Sequence, residues 1–330
     1  MKRFVLACLL ASSCQGVVQA ATLNLQAAAD DGIWQALQKA AVAARALSYQ
    51  GIFVCQSGQQ SKSVQITHFF NGQGEYARNI VLDGTPREVF SQNNDLVIFS
   101  PKNKKIVVEK RRGQNMFPAI LPTNLDAIKE NYTLRPAEPE RVAGRMTQVL
   151  VLEPKDTLRY SYRFWIDNEY GLLLKSVMFN SRNEAMESIG FSELALLTKV
   201  DLDWFKPKID SNKSYVIEED AAITIAENAT NIEWSIKDLP TGYRKIDQMR
   251  RVVHGKPLPV THLIFSDGLA TVSLFIEPIA KNVKPKIIHS MVGNTSFYTN
   301  TADGYQVTAV GEVPEATVAQ IAHAVSFKKP

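Results

Sequence analysis

Five histidines, His68, His254, His262, His289 and His323, and three cysteines, Cys8, Cys14 and Cys55, are the residues of this 330-residue chain best suited to metal or covalent chemistry. They do not recur at the short paired intervals that a zinc site needs, so no metal ligand is expected. Cys55 ends the apolar run Ile52-Phe53-Val54 and reads as a buried strand thiol. Nothing near it in sequence would draw out a thiolate nucleophile. Gly72-Gln73-Gly74-Glu75-Tyr76-Ala77 has the letters of a phosphate loop, but such a loop must open a helix, and Tyr76 to Leu82 reads as a strand. A hairpin turn explains these glycines better. There is no GxSxG elbow or HExxH helix, and the carboxylates are too dispersed for an acid–base pair. The chain therefore reads as non-enzymatic, with no catalytic residue, metal site or cofactor.

Binding chemistry is better represented. Lys102, Lys104, Lys105, Lys110, Arg111 and Arg112 crowd one expected strand, and Arg244, Lys245, Arg250, Arg251 and Lys256 occupy a loop-like stretch. Each group is either a solvated face near Glu109 and Asp247 or a footprint for carboxylate or phosphate, which arginine grips with paired hydrogen bonds. Arg244, Lys245, Arg250 and Arg251 are the candidates for meeting an acidic partner or an anionic lipid. The formal charge is +4, falling to +2 once Lys2 and Arg3 are removed with a leader, which is too balanced for a nucleic-acid binder.

A second candidate is apolar. Phe117, Leu121, Leu125, Ile128 and Tyr132 follow helical steps, while Pro118 and Pro122 forbid one smooth helix. The greasy side of this broken segment is either core filler or a movable plug. As a plug, Phe117, Leu121, Leu125 and Ile128 would face acyl chains held on a curved sheet.

The remaining sequence must position these groups. Lys2 and Arg3, the apolar stretch from Phe4 to Leu10 and Val18-Gln19-Ala20 have the form of a secretory signal peptide over 1–20, with Ala21 opening the mature chain and the periplasm as its destination. Ala11-Ser12-Ser13 before Cys14 lacks the leucine usual in a lipoprotein signal. Cleavage would leave Cys55 alone, allowing a disulfide-linked homo-oligomer but no internal disulfide. Asp30 and Asp31 can cap a helix carrying Ile33, Leu37, Ala40, Ala44 and Leu47. Short alternating segments follow at 49–56, 62–70, 75–82, 86–91, 94–100, 104–110, 145–153, 158–167, 171–181 and 184–198. They imply a large, curved antiparallel sheet over 21–203. A polar linker, 204–220, leads to a smaller α+β unit, 221–330. That unit has hairpins at Ser266-Asp267-Gly268 and Ala302-Asp303-Gly304 and a final helix carrying Val318, Ile321, Ala322 and Val325. The fold class is α+β, mostly β.

Several stretches give the chain a family likeness: Leu82-Asp83-Gly84 with Arg87-Glu88-Val89, Arg159-Tyr160-Ser161-Tyr162 running into Trp165-Ile166-Asp167, Trp234 with Leu239-Pro240-Thr241-Gly242-Tyr243, Phe265-Ser266-Asp267-Gly268-Leu269, and Val310-Gly311-Glu312-Val313-Pro314. Together, in this order, they resemble the RseB/MucB family, periplasmic negative regulators of the sigma-E envelope stress response. The resemblance implies a large domain similar to the lipoprotein carriers LolA and LolB, a half-open barrel with helices over its concave face. It also implies a smaller domain that helps hold the periplasmic part of a membrane anti-sigma factor and protect it from site-1 proteolysis. Lipopolysaccharide or lipoprotein acyl chains would release that guard. The alternative is a lipid or lipoprotein carrier of the LolA/LolB type, against which the second domain argues, since a carrier needs only the container. A third class, an envelope hydrolase, would need a catalytic centre outside every motif tested.

Overall fold

The computed structural model describes residues 15–112, 115–219, 223–224, 234–251, 258–279 and 287–327, with side-chain surroundings omitted over 15–30 and 223–224. Residues 1–14 of the expected leader, His254 and Lys256 therefore lie outside the described residues. From Gln15 the backbone is helical through Ala46 (α1), so cleavage after Ala20 would leave most of that helix on the mature chain.

Eleven strands follow: β1 (Tyr49–Ser57), β2 (Gln60–Phe70), β3 (Glu75–Val81), β4 (Glu88–Gln92), β5 (Asp95–Ser100), β6 (Lys105–Lys110) and, after the short helix α2 (Asp126–Asn131), β7 (Tyr132–Val142), β8 (Arg145–Pro154), β9 (Ser161–Asp167), β10 (Leu173–Phe179) and β11 (Ala185–Leu196). With β12 (Val216–Glu219) they form one sheet in the order β12-β6-β5-β4-β3-β2-β1-β11-β10-β9-β8-β7. The edge strands β12 and β7 do not pair with each other, so the sheet is open and not a closed barrel. One pairing departs from the expected antiparallel pattern. β12 runs parallel to β6, with Val216 opposite Lys105, which makes the sheet mixed.

Strand alternation divides the sheet's two surfaces. On one, Tyr49, Phe53, Ile66, Leu150, Leu152, Phe164, Ile166 and Phe191 join Leu37, Ala40, Ala41 and Ala44 of α1 in a single core. Alanines at the contact let the helix lie close to the sheet, and each large apolar side chain buried there contributes about 1.5–3 kcal/mol. On the other surface, Val149, Trp165 and Val177 form a small cluster of their own.

Three local readings change. The segment from Met116 is helical only across α2, and Tyr132 already starts β7. Pro136 and Pro139 mask this strand in the sequence, and its edge position tolerates them. The expected linker is anchored to the large sheet. Trp204 Nε1 donates to Thr67 Oγ1 at 3.2 Å, Arg78 Nη1 donates to the Trp204 carbonyl at 3.2 Å, and β12 lies within the same stretch. The basic stretch read as a loop is a strand, Arg244–Arg251.

The second sheet comprises β13 (Ile223–Thr224), β15 (Arg244–Arg251), β16 (Val260–Ser266), β17 (Thr271–Pro278), β18 (His289–Val292), β19 (Thr295–Ala302) and β20 (Tyr305–Gly311), ordered β13-β15-β16-β17-β20-β19-β18. Helix α3 (Glu315–His323) covers one face, burying Val318, Ile321 and Ala322 against Leu263, Phe265, Leu274 and Val307. β14 (Trp234–Ile236) and β21 (Val325–Phe327) pair separately.

Candidate interaction site at the sheet junction

Both expected hairpins of the smaller unit form, and the first does more than join β16 to β17. In its turn, Asp267 Oδ1 accepts the backbone N–H groups of Leu269 at 3.0 Å and Ala270 at 2.8 Å. Its other oxygen leaves the unit. Oδ2 accepts Arg159 Nε at 2.8 Å and the Tyr132 hydroxyl at 3.1 Å, both from the large-sheet unit. The Arg159 and Asp267 side chains are 0% exposed. Burial and the charge of Asp267 push the Tyr132 hydroxyl well above the usual phenol range, which keeps it protonated as the donor.

Arg159 is held from every side. Its Nη1 pairs with Asp156 and its Nη2 donates to the Thr241 carbonyl. The guanidinium carbon lies 5.1 Å from the Tyr243 ring centre and 6.0 Å from that of Tyr132. Burial opposes the charge, but Asp267 and Asp156 outweigh it and hold the arginine pKa above its ordinary value. Around this pair the backbones approach closely. A Cβ at Gly268 would stand 3.4 Å from Ala127 Cβ, and one at Gly242 would collide with the Asn131 amide. Thr317 Oγ1 of α3 donates to the Leu158 carbonyl at 2.7 Å. A second ion pair, Arg112 Nη1 to Asp247 Oδ2 at 2.9 Å, crosses at half-buried positions.

The four cationic candidates share β15 but not one surface. Directly opposed residues of an antiparallel pair point the same way. Arg244 opposes Ser266 and Arg251 opposes Val260 on one face, while Lys245 opposes Phe265 and Arg250 opposes Thr261 on the other. Neighbours along a strand alternate in any case, and the register shift between Lys245 and Asp247 decides only that Arg244 shares a face with Arg251 and Lys245 with Arg250. Arg244 and Arg250 are exposed. Lys245 Nζ donates to Gln248 Oε1 at 3.1 Å, and Arg251 Nε to Met249 Sδ at 3.4 Å.

The apolar candidates do come together. Phe117, Leu121, Leu125 and Ile128 all belong to the main core beside α1, with Phe117 packed 5.2 Å from Phe53 and 5.1 Å from Phe191, ring centre to ring centre. A hollow of about 30 Å³ lies beside Phe117, room for about one water. Cys55 is half-buried, and burial pushes its thiol up to about 11. Among the described residues there is no cluster of His, Cys, Asp and Glu able to hold a metal, and no helix long and apolar enough to cross a membrane.

Arg159 and Asp267 both stand in stretches singled out in the sequence, but 108 positions separate them and nothing local says that they meet. The one signal was an arginine and an aspartate each set beside large apolar residues, where an unpaired charge is costly.

A large open sheet docked on a smaller one through shared, buried polar contacts defines a protein of two coupled units. The profile of the MucB/RseB N-terminal domain matches residues 33–209 and that of the MucB/RseB C-terminal domain matches 228–326, so the chain belongs to the MucB/RseB family, whose characterised members are regulators and not enzymes. It is 29% identical over 300 residues to the sigma factor AlgU regulatory protein MucB of Pseudomonas aeruginosa, covering 89% of this chain and 90% of the relative. It is 25% identical over 304 residues to the sigma-E factor regulatory protein RseB of Haemophilus influenzae, covering 89% and 91%. The solved complex of Pseudomonas aeruginosa MucA and MucB contains a chain 26% identical to this one. It superposes with a TM-score of 0.70 over 90% of this chain and 99% of that one.

Proposed function

We propose that this protein is a periplasmic regulator that binds the periplasmic region of a membrane-anchored anti-sigma factor and shields it from site-1 proteolysis. In this reading the signal peptide over 1–20 exports it. A container domain over 21–203 and a partner-binding domain over 221–330 then act together across the 204–220 linker. The observation that carries the proposal is the likeness over both units to a protein crystallised with MucA. A simple carrier needs only the first unit, whereas here the second is locked to it by Arg159 and Asp267.

Release would follow from linkage. A lipid that binds better to the partner-free conformation weakens partner binding by the same factor. The packing supports such a coupling. The hollow of about 30 Å³ beside Phe117 is too small for an acyl chain, so one entering there would displace Phe117 from the core, and lipid occupancy and conformation would change together. Lipopolysaccharide and lipoprotein acyl chains are the ligands this reading implies.

The test mixes the purified chain with the periplasmic fragment of its anti-sigma factor, with and without lipopolysaccharide. The expected result is a complex at micromolar concentration that lipopolysaccharide dissociates. No complex, together with transfer of a lipoprotein between membranes by this chain alone, would replace the regulator with a carrier.

A further inference from the structure

Where the β5–β6 side of the large sheet meets the small sheet, a cleft of about 140 Å³ opens, room for several waters or one tetrahedral oxyanion with water. Lys110, Arg111 and Arg112 wall it from the end of β6, and Arg251 from β15, with Thr271 and Ser273 of β17 also in the lining. Glu109 is the one carboxylate among the lining residues, so cations outnumber it.

These cations are not equally committed. Lys110 Nζ holds Asp95 Oδ1 at 2.9 Å, and Arg112 holds Asp247. Arg111 differs, because its Nε is buried without a hydrogen-bond partner, although its charge reaches Glu75 across the adjoining hollow as well as repelling Arg45 of α1. A buried guanidinium nitrogen with no acceptor is costly, and an anion in the cleft removes that cost. Arg111 and Met116 also wall the small hollow beside Phe117, so the cleft and the edge of the apolar core meet at these two side chains.

We propose that this cleft is a phosphate-binding site, in which Arg111 and Arg251 grip the oxygens of a phosphate group and Met116 marks the side toward the core. The group can belong to free phosphate or to a lipid headgroup whose chain passes Met116. An occupant also competes with Asp247 for Arg112, and so acts on an ion pair that crosses between the two units. As a phosphate site it stands on this geometry. As the receiver of a releasing signal it rests on the regulatory function proposed above.

Calorimetric titration of the purified chain with inorganic phosphate, with dodecyl phosphate below its micelle concentration and with dodecanol tests it. Phosphate-bearing ligands are expected to bind, and Arg111→Gln and Arg251→Gln each to weaken them about tenfold. Dodecanol affinity should not change in either variant. Dodecyl phosphate binding much more tightly than inorganic phosphate assigns a lipid headgroup, and equal affinity assigns free phosphate. No binding of either, or binding untouched by both substitutions in variants with wild-type unfolding midpoints, overturns the site. No anti-sigma fragment is present, so failure of the partner complex leaves this result intact.

Discussion

Arg159 and Asp267 form an ion pair that is fully sealed from solvent, with one partner from each of the two units. All three guanidinium nitrogens of Arg159 and both carboxylate oxygens of Asp267 have partners. Asp267 takes the Arg159 and Tyr132 donors on one oxygen and two turn amides on the other, and Arg159 also reaches Asp156 and the Thr241 carbonyl. That is the condition under which a buried pair offsets its desolvation. The same carboxylate shapes the β16–β17 turn and docks it, so the hairpin and the junction stand or fall together.

Asp267→Ala would leave the arginine charge buried and unpaired. A loss of about 3–5 kcal/mol is expected, measured as a fall in the urea midpoint. The double replacement Arg159→Met with Asp267→Leu should recover much of it, since apolar groups of similar size leave no orphaned charge. A double variant no more stable than the single one would show that the turn amides, and not the ion pair, dominate.

Gly242 tests the close approach beside that pair. Its φ is +81°, and an added Cβ would collide with Asn131 Nδ2, whose amide is committed to the Ala127 carbonyl at 2.7 Å. Gly242→Ala should cost about 1–3 kcal/mol in backbone strain and also separate the units, seen as faster limited proteolysis between residues 204 and 220. Gly58, with φ +56° and open space around it, is the control. Gly58→Ala should show the strain without the faster cleavage.

Stability should depend on acid through Asp167. Burial alone would raise this carboxyl, but the Arg145 guanidinium and the N–H groups of Tyr170 and Glu169 hold it below its ordinary 3.8. A carboxyl depressed in the folded state adds stability above pH 3.8 and loses it as pH falls through the lower folded value. Thermal midpoints of Asp167→Asn should therefore lie below wild type at neutral pH and converge with it in acid. Parallel curves would assign the effect elsewhere.

Cys55, with its thiol pushed up to about 11, should be slow to react. At pH 8 the thiolate fraction is on the order of one thousandth, so alkylation by iodoacetamide should run far below that of free cysteine. Unfolding in urea should restore the ordinary rate.

The split of the β15 cations between two faces makes a further distinction. Arg250 is exposed, whereas Arg251 lines the cleft. Charge reversal at Arg250 should weaken capture of an anti-sigma fragment at low ionic strength, with the difference fading in high salt. Reversal at Arg251 should act on phosphate binding instead. Equal effects of both on the fragment would place the partner in the cleft.

The sequence disclosed the hairpins most readily. Gly72-Gln73-Gly74, Ser266-Asp267-Gly268 and Ala302-Asp303-Gly304 punctuate alternating strands, and turn chemistry of this kind is local. β7 escaped because Pro136 and Pro139 are read against a strand until its edge position is known. The candidate residues divided along the same line. Phe117 to Ile128 are legible as apolar, but whether they fill a core or line a container depends on volumes set by α1 and Phe191. The β15 cations are legible as a cluster, yet strand alternation divides them between two faces and one register shift decides which of them share a face. The pairing of Arg159 with Asp267 is a property of two units meeting, and no local pattern encodes it.

The strand within the linker carries one more consequence. β12 closes the β6 side of the large sheet with four residues of the chain's own connector, in parallel register. It thereby occupies backbone groups that would otherwise offer a template for intermolecular zippering. The shield is short and wholly exposed, with Val216 and Ile217 each 62% accessible. The tether thus replaces the six-residue edge of β6 with a four-residue one, a shorter stretch for a second chain to pair with.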